Sequence, residues 1–122
     1  GANAVSGLDK KGEFADVSIE QIVGWNPDII WVPSYAKYKV EDILNDPAWS
    51  SIKAVQDKAV YVFPSSLEPW DYPTASSALG VCWAANNLHG DLYSSDDFMK
   101  DVDAFYQMVY GKTFTKEQLG LQ

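Results

Sequence analysis

An α/β fold, in which a short and mostly parallel sheet is flanked by helices, is predicted by two features of the sequence. The first is a pair of β-branched and aromatic runs, at residues 28–33 and 59–64, each closed by a proline. Runs of this length and composition are typical of strands buried in a parallel sheet. The second is the alternation of these runs with helical patterns, which is the order of elements in parallel α/β domains.

Two helices are predicted in the first half of the chain. Ser18, followed three residues later by Gln21, forms a capping-box pattern and predicts a helix over 19–25. The Asn-Pro pair that comes next is expected to end this helix. A shorter amphipathic helix is predicted over 40–45, between the two strands.

Three further helical segments are predicted in the second half. Thr74 is expected to cap a helix that runs to about Leu88, and Ser95 a longer one that ends at Gly111. A last helical turn begins at Thr115, again with a capping-box pattern. The apolar spacing in the longer helix predicts a buried stripe made of Phe98, Val102, Phe105, Met108 and Val109.

Composition and charge exclude several classes of function. The 122 residues are 47% apolar and 21% charged, which indicates one globular domain and excludes a disordered chain. The formal net charge of −8 disfavours nucleic acid as a partner, because the phosphate backbone would be repelled. No apolar run approaches the about 20 residues that a membrane-spanning helix needs.

The sequence offers no set of residues for catalysis, cofactor binding or metal binding. Cys82 and His89 are the only residues of their kinds, so neither an internal disulfide nor a zinc site of the Cys/His type is available. A lone histidine at the expected end of a helix does not predict a nucleophile–histidine pair. The acidic residues between 91 and 103 are interpreted as a solvated helix face, with two aspartates favoured by the helix dipole.

The loop at residues 65–73 is the candidate binding site. It follows the carboxyl end of the second predicted strand, the edge where open α/β sheets bind ligands. Trp70, Asp71 and Tyr72 lie between two prolines and would present aromatic faces beside a carboxylate. The sequence leaves open whether the Trp70 ring contacts a ligand or folds back over the core. Phe14, in the loop that opens the chain, has the same two interpretations.

Six short motifs lie in a specific order along the chain, at 17–21, 26–30, 46–49, 52–55, 59–64 and 79–85. Together with the aromatic pattern near residue 110, they resemble the C-terminal lobe of class III periplasmic binding proteins. Proteins of this family are the substrate-binding subunits of ABC importers for ferric siderophores, haem and cobalamin.

The resemblance implies a two-lobe protein that binds its ligand in the cleft between the lobes. Each lobe would be a three-layer α/β sandwich, and one long helix would join the two. Residues 1–122 are then expected to form the C-terminal lobe. The N-terminal lobe, the linker helix, and the first strand and helix of this lobe are expected to be missing, so an exposed sheet edge could pair with a second copy.

The resemblance also implies roles for single residues. Glu20 occupies the position of a glutamate that forms salt bridges with arginines of the membrane permease. Phe14 matches an aromatic residue that stacks on the ligand, and the loop with Trp70, Asp71 and Tyr72 would line the cleft. The implied ligand is a ferric siderophore, haem or a corrinoid. The implied location is the periplasm or the outer face of the cell membrane, there with an N-terminal lipid anchor.

Two other functions stay open at this point. A small carbohydrate- or protein-binding module would use Trp70 and Tyr72 as an exposed, flat row of rings. An enzyme is the other alternative, because metallocluster proteins share the two-lobe architecture. That alternative would need cysteine or histidine ligands at the cleft, and the chain has only Cys82 and His89. We therefore expect a transport protein with no catalytic residue and no resident cofactor.

Overall fold

A computed structural model of the protein describes residues 15–121. Phe14 lies outside these residues, so its expected contact with a ligand stays a prediction. The elements are, in chain order, α1 (Ile19–Trp25), β1 (Ile30–Pro33), α2 (Val40–Asn45), a 3₁₀ turn (Pro47–Trp49), α3 (Lys53–Gln56), β2 (Val60–Phe63), α4 (Ser77–Leu88), α5 (Ser95–Tyr110) and α6 (Lys116–Leu119).

The two strands pair as a short parallel sheet, which confirms the predicted α/β fold class. The Ile30 N–H donates to the Ala59 carbonyl oxygen at 3.0 Å, next to the start of β2. Because the strands are parallel, their carboxyl ends lie at the same edge of the sheet. The loops that follow β1 and β2 therefore both begin at this edge.

Within the described residues the chain divides into two compact units. The first unit comprises residues 15–32 and 37–61, and the second comprises 33–36 and 62–121. The start of the loop after β1, residues 34–36, thus belongs to the same unit as the loop after β2.

The core of the first unit is formed by apolar side chains from its strands and short helices. In α1, the Ser18 hydroxyl accepts the Gln21 N–H, and the Gln21 side chain accepts the Ser18 N–H, so the predicted capping box is confirmed. Asn26 ends α1 in the left-handed conformation, with φ of 43°. The buried residues of this unit are Val32, Ile43, Ile52, Ala54, Val55 and Val60.

Asn26→Ala is expected to lower the free energy of unfolding by about 1–3 kcal/mol. Alanine disfavours a positive φ, and it also removes the Oδ1 atom that accepts the Lys53 N–H at 2.8 Å. The measurement is urea unfolding of both proteins. Asn26→Gly is the control, because glycine tolerates the backbone conformation but lacks the acceptor. If the two variants are equally unstable, the backbone contribution is contradicted.

The second unit is built around the packing of α4 against α5. Its core consists of Trp70, Leu79, Phe98, Val102, Tyr106 and Leu119. Gly111 ends α5 as predicted, and its φ is 67°. His89 is the C-cap residue of α4. The capping box at the start of α6 is also confirmed, since Thr115 and Gln118 exchange hydrogen bonds.

Three expectations for this unit are corrected by the structure. α4 begins at Ser77 rather than directly after Thr74, whose hydroxyl is instead hydrogen-bonded to the Ser76 hydroxyl at 2.8 Å. The residue that caps α5 is Ser94, the neighbour of the expected Ser95.

The third correction concerns the buried stripe of α5. Met108 and Val109 are 78% and 44% exposed, whereas Tyr106 is buried. Residues four apart point in similar directions on a helix, so Phe98, Val102 and Tyr106 face the core together. Met108 lies about 120° away from the middle of this arc. Val109 belongs to the final turn of α5, where residues 107–110 are all exposed.

Candidate functional site

The loops after β1 and β2 are joined by direct contacts within the second unit. The Ser34 hydroxyl donates to the Ser65 carbonyl oxygen at 3.1 Å. The Tyr35 hydroxyl donates to Asp71 Oδ2 at 2.9 Å. The rings of Tyr35 and Tyr72 are 5.1 Å apart in an edge-to-face arrangement. We call Tyr35, Asp71 and Tyr72 the tyrosine–aspartate cluster.

This cluster is open to solvent. Tyr35 is 45% exposed and Tyr72 is 46% exposed, and Asp71 is also exposed. Two of the expected site residues, Asp71 and Tyr72, are therefore together on the surface. Tyr35 was missed by the sequence analysis, although it follows the carboxyl end of β1 by only two residues. Its place after β1, at the same edge of the sheet as residues 65–73, is the signal that points to it.

The electrostatics of the cluster depend on Asp71. The pKa of Tyr35 is raised to about 12. The main cause is partial burial, and the second is the hydrogen bond to the Asp71 carboxylate. Tyr35 is thus neutral at physiological pH and acts as a donor to Asp71. Within residues 15–121 the ion pairs join Lys53 to Asp28 and Asp57, and Lys100 to Asp97, so none involves Asp71.

Trp70 lies in the core of the second unit. Its side chain is only 1% exposed, and its ring packs edge-to-face against Phe98 with centroids 6.2 Å apart. The indole Nε1–H donates to the Tyr106 hydroxyl at 3.2 Å. In the structure the Trp70 ring therefore folds back over the core, which is one of the two interpretations that the sequence left open. A ring this deeply buried has no face available for a ligand, which corrects the expectation of direct stacking.

Several short contacts fix the loop that carries Asp71 and Tyr72. The buried Ser65 hydroxyl donates to the Glu68 carbonyl oxygen and accepts the N–H groups of Leu67 and Glu68. The Glu68 carboxylate accepts the Ser76 hydroxyl at 2.8 Å, which ties the loop to the residue before α4. The backbone N–H of Trp70 donates to the Pro64 carbonyl oxygen. Asp71 therefore follows a segment held by both its backbone and its side chains.

Glu20 lies in the first unit, in the first turn of α1, and is exposed. Hydrogen bonds from its own backbone N–H and from the Ser18 side chain lower the pKa of its carboxyl group. The side chain is therefore negatively charged at neutral pH. α1 has no fully buried residue, so the helix is accessible along much of its surface.

Each unit also contains an open cavity outside the cluster. The cavity of the first unit has a volume of about 450 Å³ and is lined by Ile22, Tyr38, Asp42, Trp49 and neighbouring residues. The cavity of the second unit has a volume of about 480 Å³ and lies between Leu67, Glu68, Tyr106, Tyr110, Lys112 and Phe114. None of Glu20, Asp71 or Tyr72 lines either of these cavities.

The described part of the chain has neither a candidate metal site nor a membrane-spanning helix. No three or more His, Cys, Asp or Glu side chains among residues 15–121 are placed to hold a metal ion together. No helix in this range combines the length and apolar character of a membrane-spanning segment.

Comparison with known proteins gives one family and several relatives. The family model described as periplasmic binding protein matches residues 1–67, more than half of the chain. The molybdate-binding protein MolA of Haemophilus influenzae is 36% identical over 115 residues, which cover 93% of this chain and 32% of MolA. The chain therefore spans about a third of the length of this relative.

Solved structures give the same result. A periplasmic solute-binding protein from Veillonella parvula matches 88% of this chain and 34% of its own, with a TM-score of 0.75 and 29% identity. Molybdate-bound MolA matches 81% of this chain and 31% of its own, with a TM-score of 0.68 and 35% identity. CeuE of Helicobacter pylori in a Ni-His complex matches 85% of this chain and 32% of its own, with a TM-score of 0.67 and 29% identity.

These relatives are binding proteins rather than enzymes, in agreement with the expectation that the chain is not an enzyme. The family match also agrees with the resemblance found from the sequence motifs. The chain belongs to the periplasmic binding protein family.

Proposed function

We propose that the chain is part of the substrate-binding component of an ABC importer, which captures a solute outside the cytoplasm and delivers it to a membrane permease. The family match and the relatives support this function, and the family implies a periplasmic location. An N-terminal lipid anchor is a further element of the proposal. The observation that carries the proposed solute-binding function is the exposed tyrosine–aspartate cluster at the carboxyl edge of the sheet, where α/β folds bind ligands.

Residues 1–122 would form the C-terminal lobe of a two-lobe protein. The motif order along the sequence supports this assignment, and so does the match to only about a third of each relative. In the complete protein, an N-terminal lobe, a linker helix and the first strand of this lobe would be added. The cluster would then form one wall of the ligand cleft.

The solute would be a metal-containing compound. The motifs favour a ferric siderophore, haem or a corrinoid, whereas the relatives broaden the range, because MolA is bound to molybdate and CeuE to Ni-His. Asp71 and Tyr72 would contact the ligand directly, together with Phe14. Trp70 would act by holding the loop in place rather than by touching the ligand.

A carbohydrate- or protein-binding module is less well supported than a transport protein. Such a module would need Trp70 and Tyr72 in a flat, exposed row. The Trp70 ring is buried, and the exposed rings of Tyr35 and Tyr72 are inclined by 64° to each other. They therefore do not form a common platform.

Glu20 would dock the protein to its permease. Its exposed, ionised carboxylate on α1 is suited to pair with basic residues of a partner. Glu41 offers a matched control, because it is also exposed and lies in the first turn of another helix of the same unit.

Glu20→Lys, introduced into the full-length protein, is expected to reduce permease-dependent uptake at least tenfold, because it reverses the charge that would meet the permease. The solute is first identified by calorimetric titration with ferric siderophores, haem, cobalamin, nickel with histidine, and molybdate. Ligand affinity is expected to be unchanged in Glu20→Lys, and Glu41→Lys is expected to transport normally. Equal transport by both variants would contradict the docking role, and failure to bind any of these solutes would contradict the proposed cargo.

A further inference from the structure

We infer that the tyrosine–aspartate cluster selects a ligand that presents hydrogen-bond donors or positive charge, such as a metal chelate with coordinated amines, over a bare oxyanion. This inference rests on the proposed function and concerns the class of solute. It depends on which atoms of the cluster can face a ligand and on the cationic groups around them.

The cluster presents mainly hydrogen-bond acceptors. The Tyr35 hydroxyl donates its single hydrogen to Asp71 Oδ2, so its oxygen offers only lone pairs to a ligand. An ionised carboxylate such as Asp71 is also an acceptor and carries a full negative charge. Tyr72 can either donate or accept. A ligand that donates hydrogen bonds would therefore be complementary to two of the three side chains.

The chain offers no arginine to compensate the negative charge of an oxyanion here. All nine of its basic residues are lysines, so the bidentate recognition that arginine gives to oxyanions is not available from this chain. In the second unit, Lys100 pairs with Asp97, and Lys112 lies over the Phe114 ring at 5.9 Å. Lys112 also lines the cavity that contains Glu68, rather than contacting Asp71.

Amines bound to a metal ion complement this surface. Coordination withdraws electron density from the nitrogen, so that its N–H groups become stronger donors, and a carboxylate acceptor strengthens such hydrogen bonds further. Molybdate, in contrast, is a dianion, and placing its negative charge next to Asp71 would have an unfavourable Coulomb energy. The choice between these two solute classes is therefore decided at Asp71.

The test uses the full-length protein that contains this chain, with two probes in isothermal titration calorimetry. The probes are nickel chloride with L-histidine and sodium molybdate. Nickel–histidine is expected to bind more tightly, and Asp71→Asn is expected to weaken it at least tenfold, because the amide keeps the shape but loses the charge. Asp91→Asn, which removes an exposed charge elsewhere in the same unit, is the matched control and is expected to change affinity less than twofold.

Tyr35→Phe provides a second variant that removes a hydroxyl from a half-exposed ring, and thermal unfolding of each variant checks that it folds. Tighter binding of molybdate, with Asp71→Asn neutral or beneficial, would overturn the inference and leave the transport function standing. If neither probe nor any other metal-containing solute binds, the proposed class of solute is wrong, and the inference that rests on it is wrong as well.

Discussion

Trp70→Ala is expected to lower the free energy of unfolding by about 3–5 kcal/mol, the cost of removing a large aromatic side chain from a core. The ring is 1% exposed and packs with Phe98 and Tyr106 in the core of the second unit. Its loss would leave a cavity at the base of the loop that carries Asp71 and Tyr72. The measurement is guanidinium unfolding, monitored by circular dichroism because the substitution removes a fluorophore.

The contribution of the indole hydrogen bond can be separated from that of the ring. Tyr106→Phe leaves the buried Nε1–H of Trp70 without its acceptor, which is expected to cost about 1–3 kcal/mol. In a Trp70→Phe background the same change should cost less, since no indole donor remains. A Trp70→Ala protein as stable as the wild type would contradict the core position. Because the variant is destabilised, its weaker ligand binding would be no proof of stacking.

Gly80→Ala is expected to destabilise the protein by about 2–3 kcal/mol, although alanine has the higher helix propensity. A Cβ atom on Gly80 would lie 2.6 Å from the carbonyl oxygen of Trp70 and 3.2 Å from the Phe63 ring. The first obstacle is a backbone atom, so that α4 or the loop at residues 65–73 would have to shift. The expected readouts are a lower unfolding midpoint and, in the full-length protein, weaker binding of the solute.

Gly24→Ala is the matched control for this change. Gly24 also lies inside a helix, but nothing is within 4 Å of the position that its Cβ would take. Alanine is therefore expected to stabilise the protein by about 0.5–1 kcal/mol through helix propensity. The two substitutions are chemically identical and should have opposite signs. If Gly80→Ala is neutral or stabilising, the close approach of α4 to the Trp70 backbone is contradicted.

Features that depend on residues close in sequence were predicted well. The capping boxes at Ser18 and Thr115 and the left-handed residues Asn26 and Gly111 all end or begin helices as expected. Each of these signals involves partners within four residues, so the local sequence is enough to predict where the helix begins or ends. The two strands were also found, because their runs of β-branched and aromatic residues are continuous.

Features that depend on distant residues were predicted less well. The position of Trp70 is decided by Phe98 and Tyr106, which are 28 and 36 residues away along the chain. Tyr35 was missed because its partners, Asp71 and Tyr72, follow a different strand. No periodicity in the sequence indicates such contacts. The contacts of Tyr35 follow from the parallel arrangement of β1 and β2, which brings both loops to one edge, whereas those of Trp70 depend on where α5 packs.

The contacts between Tyr35, Asp71 and Tyr72 also affect the entropy of binding. A tyrosine that is free in solvent must give up rotamers when it contacts a ligand, at a cost of about 0.5–1.5 kcal/mol for each side chain that is immobilised. Here the hydrogen bond and the edge-to-face packing already restrict Tyr35 and Tyr72 before any ligand arrives. The cluster is therefore preorganised, so that more of the interaction energy with a solute would remain as affinity.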